Sequence, residues 1–326
     1  MSSMIYTLAH PKESIFLVTG AAGFVGSCMV RELLKQGKHV HILLKKETNT
    51  WRLCDILQNK NLHVEFIHLL EKEKLEKYIK KIQPQVIYHF AARGAYSSQN
   101  TVQDIVETNI LGTWNLLEAC RDIPYKLFVN VGSSSEYGFK EKPMSENDRL
   151  EPYSFYAIAK SAATYLASYI AKSMQKPIVT LRLFSVYGPY EEPTRFFPQL
   201  LKSFRTEKQM QLVSPKTARD FIYVDDVIDL FLHVKNLSQH AGQYFNVGTG
   251  NEYTLQQVVD VSEQVIGKKL NADWGSFPAK SWDTSHWVAE MSKTHSLLQW
   301  HAHCSLEKGI QRMWELSEKN TTIQTP

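Results

Sequence analysis

Tyr156-Ala157-Ile158-Ala159-Lys160 is the single Tyr-x-x-x-Lys of the chain. Residues four apart on a helix share a face, so the phenol and the amine can reach one pocket. A free tyrosine titrates near 10, too high for proton exchange at neutral pH. A neighbouring ammonium favours the phenolate and is expected to lower that value. The pair can then trade a proton with a hydroxyl or carbonyl oxygen. A second polar group lies upstream, in Gly132-Ser133-Ser134-Ser135-Glu136-Tyr137-Gly138. Ser133 follows a β-branched run, where its hydroxyl can hold the reacting oxygen. Singly, these residues read as a helix edge and a turn. In this order, behind the glycine turn described next, they point to catalysis.

That turn is Thr19-Gly20-Ala21-Ala22-Gly23-Phe24-Val25-Gly26. Gly20 suits a tight turn, Gly23 a close approach of main chain to phosphate, and Gly26 close helix packing. Free N–H groups and the dipole at a helix start attract a pyrophosphate. Phe24 and Val25 lie in the same turn and are candidate contacts. The GxxGxxG spacing is one residue wider than the GxGxxG fingerprint, but its place between a strand and a helix supports dinucleotide binding. A nicotinamide dinucleotide would trade a hydride with carbon while Tyr156 trades the proton. Lys160 could also meet the nicotinamide ribose. The second strand ends in Lys45-Lys46, with Arg52 beyond and no carboxylate before Glu47. Basic residues there suit the 2′-phosphate of NADP, whereas an acidic one suits NAD. The expected cofactor is NADP, with NAD the alternative.

These residues need a scaffold. Strands are predicted over Ile15–Thr19, His39–Leu44, His63–His68, Val86–Phe90, Lys126–Gly132 and Ile178–Leu183. Helices are predicted over Gly26–Gln36, Leu75–Lys81, Asp104–Arg121 and Phe155–Ser173. The alternation implies a Rossmann-type, doubly wound parallel sheet of the α/β class. Ligands then meet strand C-termini, which adds Val131 and Leu183 to the candidate cofactor contacts. After Leu183 the rhythm breaks. Gly188, Pro189, Pro193 and Pro198 suggest loops, Asp226–Val234 another helix, and the chain reads as irregular from Gly248 to a last helix over Leu306–Ser317. Glu318–Pro326 reads as a frayed tail.

With 326 residues, 43% of them hydrophobic and 21% charged, the chain is long enough for about two domains and is not disordered. A net charge of +4 is too small to argue for nucleic acid. No stretch approaches the roughly 18 apolar residues of a membrane span, and Met1–Glu13 lacks the pattern of a signal peptide. Cys28, Cys54, Cys120 and Cys304 are far apart, which suits a reducing, cytoplasmic setting without disulfides or a metal. His301-Ala302-His303-Cys304 reads as a surface loop, and the Glu71–Lys81 charge run as a solvated helix face.

Together these motifs resemble the extended short-chain dehydrogenases/reductases, within the NAD-dependent epimerase/dehydratase family acting on nucleotide sugars. The resemblance spans about Ser14 to Trp314. It includes His89-Phe90-Ala91-Ala92, Asn109 in Thr108–Thr113, Arg182–Pro189, Arg219–Asp226 and Asn246–Gly250. It implies a catalytic set of Ser133, Tyr156 and Lys160. It implies cofactor contacts at Ala91, Ala92 and Asn109, and Arg219 on the substrate's diphosphate. It further implies a homodimer through a four-helix bundle of Asp104–Arg121 and Phe155–Ser173. The implied layout is a dinucleotide unit over 13–184 with about 219–247. A smaller nucleotide-sugar-binding α/β cap covers about 185–218 with 248–316, and 317–326 is a tail.

Departures bear on the reaction. Sugar 4,6-dehydratases of the family carry acidic residues where this chain has Ser134 and Ser135, and Glu136 is out of register. Loss of water then has no obvious proton donor. Ser185 replaces an asparagine that touches substrate. Leu69 replaces an acidic residue that meets the adenine, again favouring NADP. Phe196 and Phe197 are candidate walls of the sugar pocket. Trp274, Trp282 and Trp287 could stack on a base or sugar, but cap core is the plainer reading. The leading expectation is an NADP(H)-dependent reductase of a nucleoside-diphosphate-4-keto-6-deoxyhexose, and the alternative is a 4-epimerase using the same residues.

Overall fold

The computed structural model describes residues 14–96, 99, 101–278, 284 and 286–319. Six of its strands follow the β-branched runs: β1 (Ile15–Thr19), β2 (His39–Leu44), β3 (Leu62–Phe66), β4 (Val86–His89), β5 (Leu127–Ser133) and β6 (Ile178–Leu183). Short strands β7 (Ser185–Tyr187), β8 (Met210–Leu212), β9 (Ala218–Arg219) and β10 (Phe221–Tyr223) come next. They precede β11 (Tyr244–Val247), β12 (Tyr253–Thr254) and β13 (Ala272–Trp274). The main sheet has the order β11-β6-β5-β4-β1-β2-β3, parallel throughout. The order reverses at β1, where β4 lies on one side and β2 on the other. A crevice opens there beyond the strand C-termini.

Helices cover both faces: α1 (Phe24–Lys35), α2 (Lys72–Ile82), α3 (Val102–Val106), α4 (Gly112–Ala119), α5 (Phe155–Ser173), α6 (Phe196–Thr206), α7 (Val224–Leu232) and α8 (Val234–Leu237). Further helices are α9 (Leu255–Ile266), α10 (Ser292–Leu298) and α11 (Leu306–Lys319). The period-2 alternation of β1 explains why both faces are dry. Phe16 and Val18 enter one core with α1 and α7, whereas Leu17 enters the other with α2 and α4. A third core gathers Phe197, Leu200 and Phe204 of α6, Val258 of α9 and Ile310 of α11.

Four expectations need correction. The helix predicted over Asp104–Arg121 is not regular: α3 and α4 are joined by a π turn over Glu107–Leu111. The Thr113 hydroxyl donates to the Asn109 carbonyl at 2.7 Å, giving it a partner inside the widened turn. The segment after Gly188 contains α6, because Pro198 falls in its first turn, where no N–H is needed. The stretch after Gly248 contains α9. Its start has the reciprocal Thr254–Gln257 cap, and its buried Leu255, Val258 and Val259 have helical spacing. Residues 317–319, assigned to the tail, continue α11, and the rest of the tail lies outside the described residues. So does Trp282, whereas Trp287 packs in the α1-side core and Trp274 borders the third core. Among the described residues no helix is long and apolar enough to cross a membrane.

Candidate active site

The strand C-termini, the α1 start and the β7–α6 turn enclose a cleft of about 2160 Å³. Single small-molecule pockets hold roughly 300–1,000 Å³, so the cleft has room for two extended ligands.

At its base, β1 runs into Gly20, whose φ is +67°. A Cβ there would stand 2.5 Å from the Phe90 carbonyl carbon and Ala91 nitrogen, and one on Gly26 would stand 2.3 Å from the Gly20 oxygen. No side chain could be accommodated at either position. Gly23 is the N-cap of α1 and supplies no side-chain cap, and the first turn holds no acidic residue. The first N–H groups of α1 are thus left to a ligand, and Gly20, Gly23, Phe24, Val25 and Gly26 all line the cleft. These residues fit a dinucleotide pyrophosphate. Ala91, Ala92, Val131 and Leu183 line the cleft as well.

Across the crevice, the Ser154 hydroxyl accepts from Ala157 N–H at 3.1 Å and starts α5, which presents Tyr156 and, one turn on, Lys160. Both line the cleft, and so does Ser133. Burial pushes Tyr156 up to about 12, against the Ser133 side chain and the Arg195 charge. Lys160 alone does not bring about the expected lowering, and without the positive charge of an oxidised dinucleotide the phenol stays protonated. Burial also lowers Lys160, to about 8, with Glu136 opposing the shift. Beneath them His89 sits between Thr19, at 2.7 Å from Nδ1, and Thr113, at 2.9 Å from Nε2. Burial lowers His89 to about 3 and keeps it neutral.

Glu136 is fully buried under this set. Its Oε1 accepts from Ser133 N–H at 2.8 Å and its Oε2 from Arg182 Nε at 2.9 Å. Arg182 also donates to the Tyr137 hydroxyl, which donates to Asn246 Oδ1 at 2.6 Å. The carboxylate therefore fixes the β5 terminus and does not face the cleft. Its sequence signal was present as Ser133-x-x-Glu136, a capping box, and both of its hydrogen bonds form.

Other candidates divide. Ser134, Ser135, Ser185, Phe196 and Arg219 line the cleft. Ser134 Oγ accepts from Trp287 Nε1 at 3.0 Å, and Arg219 lies over the Trp287 ring and donates to the Ala218 and Thr284 carbonyls. Phe197 also lines the cleft but stacks in the third core, 4.2 Å from the Tyr187 ring centroid. Lys45 lines the cleft, with Glu47 nearby, but Lys46 does not. Lys46 follows the strand's end and points to solvent from an exposed turn. Asn109 is also displaced from the expected role. It is buried behind the cleft, and its amide exchanges two 2.8 Å hydrogen bonds with the Arg93 backbone, so it holds the loop after β4. Arg52 lines the cleft, yet its guanidinium is already engaged by Glu192 at 2.9 Å and the Tyr190 carbonyl at 2.6 Å, with a longer contact to Ala22. Sequence reasoning missed Tyr96, Glu191 and Arg195, which also line the cleft. His301 rests against His295, and among the described residues no three potential metal ligands gather.

A parallel sheet with a phosphate-binding turn and a Tyr–Lys–Ser set at its C-terminal edge defines an α/β enzyme of the extended short-chain dehydrogenase/reductase type. Residues 16–248 match the model of the NAD dependent epimerase/dehydratase family, and the chain belongs to that family. It is 30% identical over 322 residues to the UDP-glucuronate 4-epimerase of Thermodesulfobacterium geofontis (strain OPF15), covering 94% of this chain and 97% of the relative. The UDP-glucuronic acid 4-epimerase of Bacillus cereus, solved with UDP-glucuronic acid and NAD, superposes with a TM-score of 0.81. It is 28% identical, covering 94% of this chain and 99% of that one. The dTDP-glucose 4,6-dehydratase of Bacillus anthracis str. Ames, solved with NAD, has a TM-score of 0.82 at 26% identity, covering 94% and 97%.

Proposed function

We propose that the chain is a nucleoside-diphosphate-hexose 4-epimerase, with Ser133, Tyr156 and Lys160 as its catalytic residues. The observation that carries the reading is Ser133, Tyr156 and Lys160 gathered in one cleft with a bare helix start. A nicotinamide dinucleotide in that crevice supplies hydride acceptance and return at C4. Tyr156, whose phenolate Lys160 and the positive charge of a bound oxidised dinucleotide would favour, takes the proton of the C4 hydroxyl as it becomes a carbonyl and returns it to that oxygen after the keto sugar turns over. Ser133 orients that oxygen, fixed in turn by Glu136. Lys160 supports the charge on Tyr156, and Arg219 meets the diphosphate. Relatives named as UDP-sugar 4-epimerases support this reading over the reductase expected from sequence. The test is incubation with UDP-glucose, UDP-glucuronate and other hexose nucleotides. The expected outcome is a C4 epimer formed with no net change in nicotinamide absorbance.

A second reading, reduction of a 4-keto-6-deoxy nucleotide sugar by NADPH, keeps one specific observation in its favour: Lys45 follows β2 at the cleft, ahead of Glu47, and Leu69 also lines it. Stoichiometric NADPH oxidation by such a sugar would select it. Dehydration is disfavoured, because Ser134 and Ser135 carry no acid and Glu136 is locked to Arg182. We also propose a homodimer. Val106 and Trp114 on the α3–α4 segment and Phe155, Ile158, Tyr165 and Tyr169 on α5 are exposed apolar side chains, and residues 158, 165 and 169 lie along one helix face.

A further inference from the structure

Glu191 lies in the turn between β7 and α6, and its side chain lines the cleft while only 9% of the residue is exposed. Its Oε2 is buried and has no hydrogen-bond partner among the described residues. A buried polar atom in that state is destabilising, and its persistence asks for an explanation. The adjacent Glu192 shows the contrast, since Arg52 meets its carboxylate directly. The cation nearest Glu191 is Arg195, whose Nε is 3.7 Å from Oε1, beyond hydrogen-bond length. Burial pushes the carboxyl up to about 8 against the charge of Arg195, the Gly188 backbone and the charge of Arg52, so at neutral pH it holds its proton and can donate.

The position narrows what it donates to. Arg195 also lies over the Tyr96 ring, and both Arg195 and Tyr96 act electrostatically on Tyr156. The carboxyl is thus joined through Arg195 to the wall around the reacting phenol, with Arg52 on its other side. A phosphate beside it would meet a group that becomes an anion on losing its proton. A neutral sugar hydroxyl meets a partner that can both donate and accept. We propose that Glu191 is a sugar-positioning residue whose Oε2 hydrogen-bonds a hydroxyl of the hexose ring. This rests on the reading of the cleft as a nucleotide-sugar site.

The experiment compares each bare nucleoside diphosphate with its hexose conjugate: UDP with UDP-glucose, CDP with CDP-glucose, GDP with GDP-mannose, and dTDP with dTDP-glucose. Calorimetry on the wild-type chain selects the pair with the largest gain from the sugar. Glu191→Leu, which keeps bulk and removes polarity, is expected to weaken the conjugate about tenfold, one hydrogen bond's worth, and to leave the bare nucleotide unchanged. Glu191→Gln, which keeps a donor and an acceptor, is expected to bind the conjugate within about threefold of wild type at pH 7. Because a partnerless buried group is being removed, Glu191→Leu should unfold at no lower a temperature than wild type. Equal weakening of both ligands, or of neither, overturns the inference, as does a collapse of Tm in both variants. If the wild-type chain gains nothing from any sugar, the functional reading itself falls and takes this inference with it.

Discussion

Tyr156 can be removed with the loss of one oxygen, which makes the sharpest test at residue scale. Tyr156→Phe is expected to lower turnover by about 10²–10⁴-fold while leaving dinucleotide binding, read by fluorescence, within a few-fold. Lys160 gives a stability test. Its folded value is lowered to about 8 from an ordinary 10.5. Below 8 both folded and unfolded chains hold the proton, and the folded state bears the full burden of a buried cation. Between about 8 and 10.5 the unfolded chain binds more protons, so this group's contribution makes stability rise with pH. Relative to Lys160→Met, wild type should therefore gain stability in urea titrations from pH 7.5 to 10; an unchanged difference would refute the buried cation. Tyr156 and Lys160 were legible because helical spacing alone brings them together. The partners of Arg52 and Asn109 were not legible because they lie elsewhere in the chain. Glu192 is 140 positions from Arg52, and no local pattern announces that the Arg93 backbone will take the Asn109 amide.

At the scale of elements, the β1–α1 turn and the α5 face each support an expectation. Gly26→Ala places a methyl where only 2.3 Å separates it from the Gly20 carbonyl oxygen. The turn must open, and dinucleotide affinity should fall by at least an order of magnitude in equilibrium titration. Replacing Ile158 and Tyr165 together by lysine should convert a dimer to a monomer in analytical ultracentrifugation, with the secondary structure retained; a dimer that survives would remove α5 from the interface. The parallel sheet was readable because strands dry on both faces give dense β-branched runs. The π turn in the α3–α4 segment was not, since its sequence keeps helical propensity throughout and the extra residue shows only in tertiary contacts. Helix α6 was hidden by reading Pro198 as a breaker, although a proline in a first turn breaks nothing.

On the scale of the whole molecule, the cofactor question joins the two ends of the cleft. Lys45→Asp should shift the NADP/NAD affinity ratio toward NAD by about tenfold, the scale of one charge-assisted hydrogen bond; an unchanged ratio would assign Lys45 to solvent. Arg52 bears on the same question differently. Its guanidinium meets the Ala22 carbonyl of the glycine turn on one side and the Tyr190 carbonyl and Glu192 carboxylate of the β7–α6 turn on the other. Arg31 adds a cation over the Tyr190 ring at 4.2 Å. One side chain thus acts as a clasp between the rim that receives the coenzyme and the rim that carries Glu191. The spacing of the two rims is therefore set by a single guanidinium.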